Sequence, residues 1–165
     1  MNPLSVVVRT ICDVFAWFMG IYGIYIIIHG HLTPGGGFQG GAVVATMAAF
    51  LLVSHGGKKL LSFVKPGFYS GIETAGLLIF ITTGFLGLSA TFFYNFLAGR
   101  GGLFGAVVPI GPNSGILNSA GTISVMNMAV GLEVIGGLSL ILIYMFKGIR
   151  LFDDQTGGSE TGHDR

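Results

Sequence analysis

The sequence predicts an all-α, polytopic membrane protein with four transmembrane helices and both termini in the cytoplasm. Of the 165 residues, 52% are hydrophobic and only 9% are charged, whereas a soluble domain carries about 25% charged residues. Four apolar segments also approach the length of about 20 residues that a helix needs to cross about 30 Å of hydrocarbon. The predicted helices cover residues 10–28, 38–54, 72–93 and 123–146.

Lysine and arginine residues set the predicted orientation, because those near helix ends are retained in the cytoplasm. Four spans place the N-terminus, the loop after the second span and the C-terminal tail on one side. That side holds seven lysines and arginines, against only Arg100 on the other. The seven are Arg9, Lys58, Lys59, Lys65, Lys147, Arg150 and Arg165. We therefore expect a multi-pass protein of the cell membrane with cytoplasmic ends.

Two regions are predicted along the chain. Residues 1–150 form the four-helix membrane domain, and residues 151–165 mix charges with Gly, Ser and Thr and are predicted to be a disordered cytoplasmic tail. The net charge of +1 does not favour a nucleic-acid partner. A single cysteine, Cys12, excludes an internal disulfide and a thiolate metal cluster. The first apolar segment is longer than a signal-peptide core and lacks a cleavage pattern, so we expect it to be retained.

The third and fourth segments carry small residues at intervals. Such residues let membrane helices approach closely, so these faces predict contacts with other helices and suit a multisubunit assembly. The small residues are Ala75, Gly76, Gly84, Gly87 and Ala90 in the third segment and Ala129, Gly131, Gly136 and Gly137 in the fourth.

A glycine-rich string, residues 29–41, joins the first two segments. It contains G-x-G-x-x-G, but a dinucleotide site needs a preceding strand and a later acidic residue, and both are missing. The second segment spans only about 25 Å as a helix, which predicts a turn sunk below the outer surface and enclosed by protein or a wet cavity. A tight packed turn is favoured over a direct ion site, because glycine's backbone freedom suffices to explain the string.

His29 and His31 lie two residues apart, so on a helix they point to different sides, and no further metal ligands are close in sequence. We therefore predict no metal site and no cofactor. A structural role is favoured for both histidines. His31, which opens the turn, is the better candidate for proton relay.

The turn also carries a resemblance to a known family. Gly30-His31-x-x-Pro34-Gly35-Gly36-Gly37-Phe38-x-Gly40-Gly41 resembles the signature of the MnhB-related family. This family comprises the B subunits of Mrp-type sodium/proton antiporters and their counterparts in archaeal membrane-bound hydrogenases and related respiratory complexes. The resemblance covers nearly the whole chain. It implies a non-catalytic subunit that works with other membrane subunits in the lipid bilayer and takes part in sodium or proton movement.

The last helix departs from the pattern of that family. Antiporter B subunits usually begin it with apolar-Asp-apolar-Gly-Val, whereas this chain has Met126-Asn127-Met128-Ala129-Val130. A carboxylate is missing at Asn127 and another appears six residues on at Glu133, and this difference favours the hydrogenase-type branch. The alternatives are a B subunit of a free-standing antiporter and a purely structural helix-packing subunit. An independent transporter is least favoured, because four helices without an inverted repeat offer no complete pathway.

Three acidic residues fall in the apolar segments. Asp13 follows Arg9 by four residues, which predicts a structural ion pair near the cytoplasmic end. Glu73 is expected at the start of the third helix, where it would suit the helix dipole. Glu133 is expected near the membrane midplane, where a charge costs about 3 kcal/mol. It is therefore the leading candidate for ion translocation, together with His31 and Asn127, and its alternative role is an interhelical hydrogen bond.

Overall fold

The computed structural model describes residues 5–55, 65–108, 110 and 115–159. These residues form four long helices: α1 (Val6–His29), α2 (Gly37–His55), α3 (Pro66–Leu86) and α4 (Thr122–Ser159). A short 3-10 turn, Gly87–Ser89, extends α3. All four helices are long and apolar enough to cross a membrane. The prediction of an all-α protein with four spans is therefore confirmed, and the cytoplasmic location of the termini stays a prediction.

Helix α4 is the centre of the bundle. Helices α2 and α3 both pack along α4, α1 packs along α2, and α1 meets α4 only locally. Small side chains such as Ala16, Ala45 and Ala129 are buried at these contacts, as expected where membrane helices approach closely. Large apolar residues point outward instead, and Trp17 of α1 is 69% exposed. Such surfaces suit lipid or other subunits.

The predicted bounds of the third helix were wrong at both ends. Helix α3 begins at Pro66, six residues before the predicted start, because proline is favoured at the first helical position, where its missing N–H is not needed. At the other end the chain turns back, and Phe93 has a positive φ of 65°. The Phe93 N–H donates to the Gly84 carbonyl at 3.3 Å, and the Phe93 ring packs on Phe80.

Helix α4 is longer than the predicted apolar segment. It continues through residues 151–159, part of the segment for which the composition predicts a disordered tail. Residues 160–165 of that tail, and the lysines Lys58 and Lys59 of the predicted cytoplasmic loop, lie outside the described residues.

Asn95 ties the loop between α3 and α4 back to the start of α4. Its Oδ1 accepts hydrogen bonds from the backbone N–H of Thr122 at 2.8 Å and from the Thr122 hydroxyl at 3.0 Å. Its Nδ2 donates to the Ala120 carbonyl at 3.0 Å. The side chain thus satisfies a backbone N–H that the first turn of a helix leaves unpaired.

Candidate functional site

The glycine turn, residues 30–41, lies where α1 ends, α2 begins and α4 passes beside them. Gly35 and Gly36 adopt φ angles of 146° and 128°, a backbone region that residues with side chains rarely enter. Pro34 precedes them, and Phe38, which is 65% exposed, follows in the first turn of α2. The turn therefore depends on glycine at its two central positions.

Asn127 of α4 joins both sides of the glycine turn through one amide group. Its Oδ1 accepts from the Gly37 N–H at 2.6 Å, and its Nδ2 donates to the Ile27 carbonyl at 2.5 Å. The first bond satisfies a free N–H at the start of α2, and the second reaches the last turn of α1. An amide can make both bonds at once because it carries a donor and an acceptor. Asn127 therefore holds three helices together at this end of the bundle.

The glycines of the turn lie against backbone atoms of neighbouring helices. A Cβ added at Gly37 would overlap with the Asn127 carbonyl oxygen. A Cβ at Gly40 would lie 2.7 Å from the Gly23 carbonyl oxygen of α1, and one at Gly41 would lie 2.8 Å from the Gly131 carbonyl oxygen of α4. Because backbone atoms cannot swing aside as side chains do, these positions leave no room for a larger residue.

The two histidines differ in their surroundings. His29 Nδ1 is 3.0 Å from the Tyr25 carbonyl oxygen, and its ring stacks on the Tyr25 ring with centroids 4.0 Å apart. Both ring nitrogens of His31 are buried and have no hydrogen-bond partner among the residues that the structure describes. Within the same residues, no group of three or more His, Cys, Asp or Glu side chains could hold a metal ion.

Glu133 lies in the contact between α3 and α4, as the twelfth residue of the 28-residue span Thr122–Ile149. A Cβ at Gly76 of α3 would lie 2.7 Å from the Glu133 backbone nitrogen and 2.7 Å from the Ala129 carbonyl oxygen. The side chain is part-buried. Among the described residues it forms no hydrogen bond or ion pair that would satisfy the carboxyl group.

Glu73 belongs to the same contact, which sequence reasoning missed. It was expected at the start of the third helix, but α3 begins at Pro66, so Glu73 is the eighth helical residue and lies two turns inside. A Cβ at Gly136 of α4 would lie 2.7 Å from the Glu73 backbone nitrogen, and one at Gly137 would lie 3.4 Å from Glu73 Oε1. The backbone of each glutamate thus packs against a glycine of the opposite helix. We call this arrangement the glutamate crossing, formed by Glu73, Gly76, Glu133 and Gly136.

Asp13 pairs with a residue that the sequence did not indicate. Its carboxylate Oδ1 is 2.7 Å from His55 Nε2, and the contact joins the eighth residue of α1 to the last residue of α2, distant from the glycine turn. Both side chains are partly exposed. The ion pair of Asp13 with Arg9 stays a prediction.

These features define a multi-pass membrane protein whose helices are joined through glycines, one bridging amide and a crossing that holds two glutamates. Residues 7–140 match the family described as "Domain related to MnhB subunit of Na+/H+ antiporter". The chain belongs to this family, and it is a multi-pass protein of the cell membrane.

Three relatives illustrate the range of the similarity. An uncharacterised protein of Methanocaldococcus jannaschii is 34% identical over 119 residues, which cover 71% of this chain and 43% of that protein. The B subunit of the Na(+)/H(+) antiporter of Alkalihalophilus pseudofirmus is 35% identical over 86 residues, covering 51% of this chain and 58% of that subunit. A chain in the structure of the membrane-bound sulfane sulfur reductase, an archaeal respiratory membrane complex, matches with a TM-score of 0.68 and 30% identity, covering 86% of this chain and 58% of that one. The chain therefore spans about half the length of these relatives.

Proposed function

We propose that the chain is a non-catalytic subunit of an Mrp-type module that exchanges sodium ions and protons within a redox-driven respiratory complex. The observation that carries this proposal is the glutamate crossing, in a chain that resembles a subunit of a respiratory complex over 86% of its length. In this proposal the redox chemistry belongs to other subunits.

The energetics of the glutamate crossing support an ion-carrying role. A charged carboxylate at the centre of a membrane helix costs about 2.5–3.5 kcal/mol, and such acids usually face a protein interior or a water-filled path. Glu133 has no partner among the described residues, so packing alone does not explain the acid. Glu73 lies in the same helix contact on α3, where its Oε1 is 3.4 Å from a Cβ placed at Gly137 of α4, and in this proposal its carboxyl group is a second candidate to hold a proton or a sodium ion.

The glycine turn has a different role in this proposal. Asn127 bonds Ile27 through one amide N–H and Gly37 through one lone pair of Oδ1, and in this proposal its amide positions the helices. His31 is the second candidate for proton relay, because its buried ring nitrogens are free of protein partners among the described residues. The turn fixes α1, α2 and α4, and α4 in turn carries Glu133.

The alternative function is that of a B subunit in a free-standing antiporter, favoured by the 35% identity with the antiporter protein of A. pseudofirmus. A purely structural subunit would leave the unpaired carboxyl group of Glu133 without a role.

Purification from native membranes distinguishes these functions. The chain carries an affinity tag after Arg165, the membranes are solubilised in a mild detergent, and the co-purifying subunits are identified by mass spectrometry. We expect antiporter-like subunits together with redox subunits. Antiporter-like subunits alone would favour the free-standing antiporter, and recovery of the chain without other membrane subunits would contradict both. An unrelated tagged membrane protein from the same cells is the control for nonspecific association.

A further inference from the structure

We propose that a groove along α4, between α2 and α3, is the docking site for a transmembrane helix of a neighbouring subunit that carries a lysine or arginine opposite Glu73. This docking role rests on the proposed function, because it requires the chain to be part of a multisubunit membrane complex. It adds the surface of contact and the chemistry of the partner, and it leaves Glu133 as the carrier of the moving ion.

The groove arises because α2 and α3 both pack along α4 but, among the described residues, not along each other. Near the glycine turn it has a volume of about 350 Å³, and no residue of α1 lines it. Its walls there are Phe38 of α2 and Phe80 of α3, and its floor includes Ile123, Met126 and Val130 of α4. One face of α4 is therefore covered by none of the described helices.

The groove continues from there to the carboxyl group of Glu73. Glu73 and Phe80 are seven residues apart on α3, as are Val130 and Gly137 on α4. Seven residues are two helical turns, so each pair lies on one face of its helix. Glu73 Oε1 is 3.4 Å from a Cβ placed at Gly137, which puts the carboxyl group on the floor of the groove. Because Gly137 is the sixteenth residue of the 28-residue span Thr122–Ile149, this carboxyl group lies near the middle of the membrane.

The charges around the groove favour a basic partner. Among the described residues, the Glu73 carboxyl group forms no hydrogen bond or ion pair, and its oxygens, unlike the ring nitrogens of His31, are not enclosed. The spans of α2, α3 and α4 contain a second acid, Glu133, but no lysine or arginine before Lys147. Lys147 lies ten residues, about 15 Å, beyond Gly137. Because acids inside a membrane are usually paired or face water, we expect the missing cation on another subunit.

A helix suits the groove better than water or a lipid chain. The lining is mainly apolar, whereas each buried water needs two to four polar partners. A lipid chain would cover the apolar side chains but leave the Glu73 carboxyl group unpaired. Gly137 has no side chain, so a partner helix can approach α4 closely at the level of that carboxyl group. The same helix would cover Phe38 and Ile123, which are 65% and 54% exposed.

Photocrosslinking in native membranes tests the docking. Phe80 is replaced by the photoreactive p-benzoylphenylalanine in the tagged full chain, and Phe38 is replaced in the same way in a second variant. Both should crosslink to one transmembrane helix of another subunit, identified by mass spectrometry. That helix should carry a lysine or arginine about seven residues from the Phe80 crosslink, because Glu73 lies two turns from Phe80. The control is the same replacement at Phe18, which is exposed on α1 and should not capture that helix.

An exchange of charges tests the pairing. Glu73→Lys should lower the yield of the co-purified partner at least tenfold, because it places like charges together. Replacing the partner's basic residue by glutamate should restore that yield. The same change in the partner should not restore the yield of Glu133→Lys, which is the matched control.

Crosslinks to lipid alone, to a second copy of this chain or to a helix without a basic residue at this depth would overturn the docking proposal. A charge exchange that restores nothing would also overturn it. The proposed function would survive these results if other membrane subunits still co-purify, whereas recovery of the chain alone would contradict both. If Glu73→Lys fails to fold, the crosslinks at Phe80 alone decide.

Discussion

The glycine turn and the glutamate crossing differ in whether their buried or part-buried polar groups have hydrogen-bond partners. At the turn, Asn127 pairs with the buried backbone groups of Ile27 and Gly37, and glycines bring the backbones together. At the crossing, glycines again bring two helices together, but the Glu133 carboxyl group has no partner within the described chain. The polar groups at the turn are paired within the chain, which fits a structural role. The carboxyl group of Glu133 at the crossing is left available to an ion, a proton or another subunit.

The largest effect should follow a substitution in the turn. Gly37→Leu forces a side chain into the Asn127 backbone, and overpacking of this kind costs about 1–3 kcal/mol or more. We expect loss of the assembled complex, measured as the yield of co-purified subunits. Gly71→Leu is the matched control, because a Cβ at Gly71 meets nothing within 4 Å. Normal assembly of the Gly37 variant would mean that the turn is not the rigid element described here.

A smaller effect is expected at Asn127. Asn127→Leu keeps the bulk of the side chain but leaves the Gly37 N–H unpaired, which costs about 1–3 kcal/mol. It also removes one of the two hydrogen bonds to the Ile27 carbonyl, which still accepts from the Gly30 N–H at 3.4 Å. Unfolding of the purified complex by increasing SDS should shift to lower detergent concentration, with partial assembly retained. Met126→Leu, on the preceding position, should not shift it. If Asn127→Leu unfolds at the same SDS concentration as the parent, the two hydrogen bonds contribute little to the stability of the complex.

The smallest effect on assembly is expected at His31. Replacing a buried polar group that has no partner by an apolar one of similar size can be neutral, so His31→Leu should leave complex yield within about twofold of the parent. His29→Leu, which removes the hydrogen bond to Tyr25, is the comparison. Intact assembly with impaired ion transport would add His31 to the ion path. Loss of assembly would make the ring a structural element.

The number and type of helices could be read from hydrophobic length, because a membrane helix must pair its own backbone groups. The start of α3 could not be predicted in this way, because Pro66-Gly67 has the composition of a turn but forms the first two residues of a helix. That error placed Glu73 at a helix end and concealed its position opposite Gly136. The sequence also could not predict that Asn127 bridges the helices, because its partners Ile27 and Gly37 are 100 and 90 residues away in sequence.

Ion transport by the Glu133→Gln variant tests the account most directly. Glutamine keeps the size and the hydrogen-bonding capacity of glutamate but cannot carry charge or exchange a proton. The purified complex is reconstituted in vesicles, and sodium and proton movements are measured per redox turnover, or per imposed gradient. We predict normal assembly and redox activity with ion movement reduced at least tenfold, whereas Gly71→Leu should match the parent. Full coupling in the glutamine variant would contradict an ion-carrying role for Glu133 and make the glutamate crossing a packing contact.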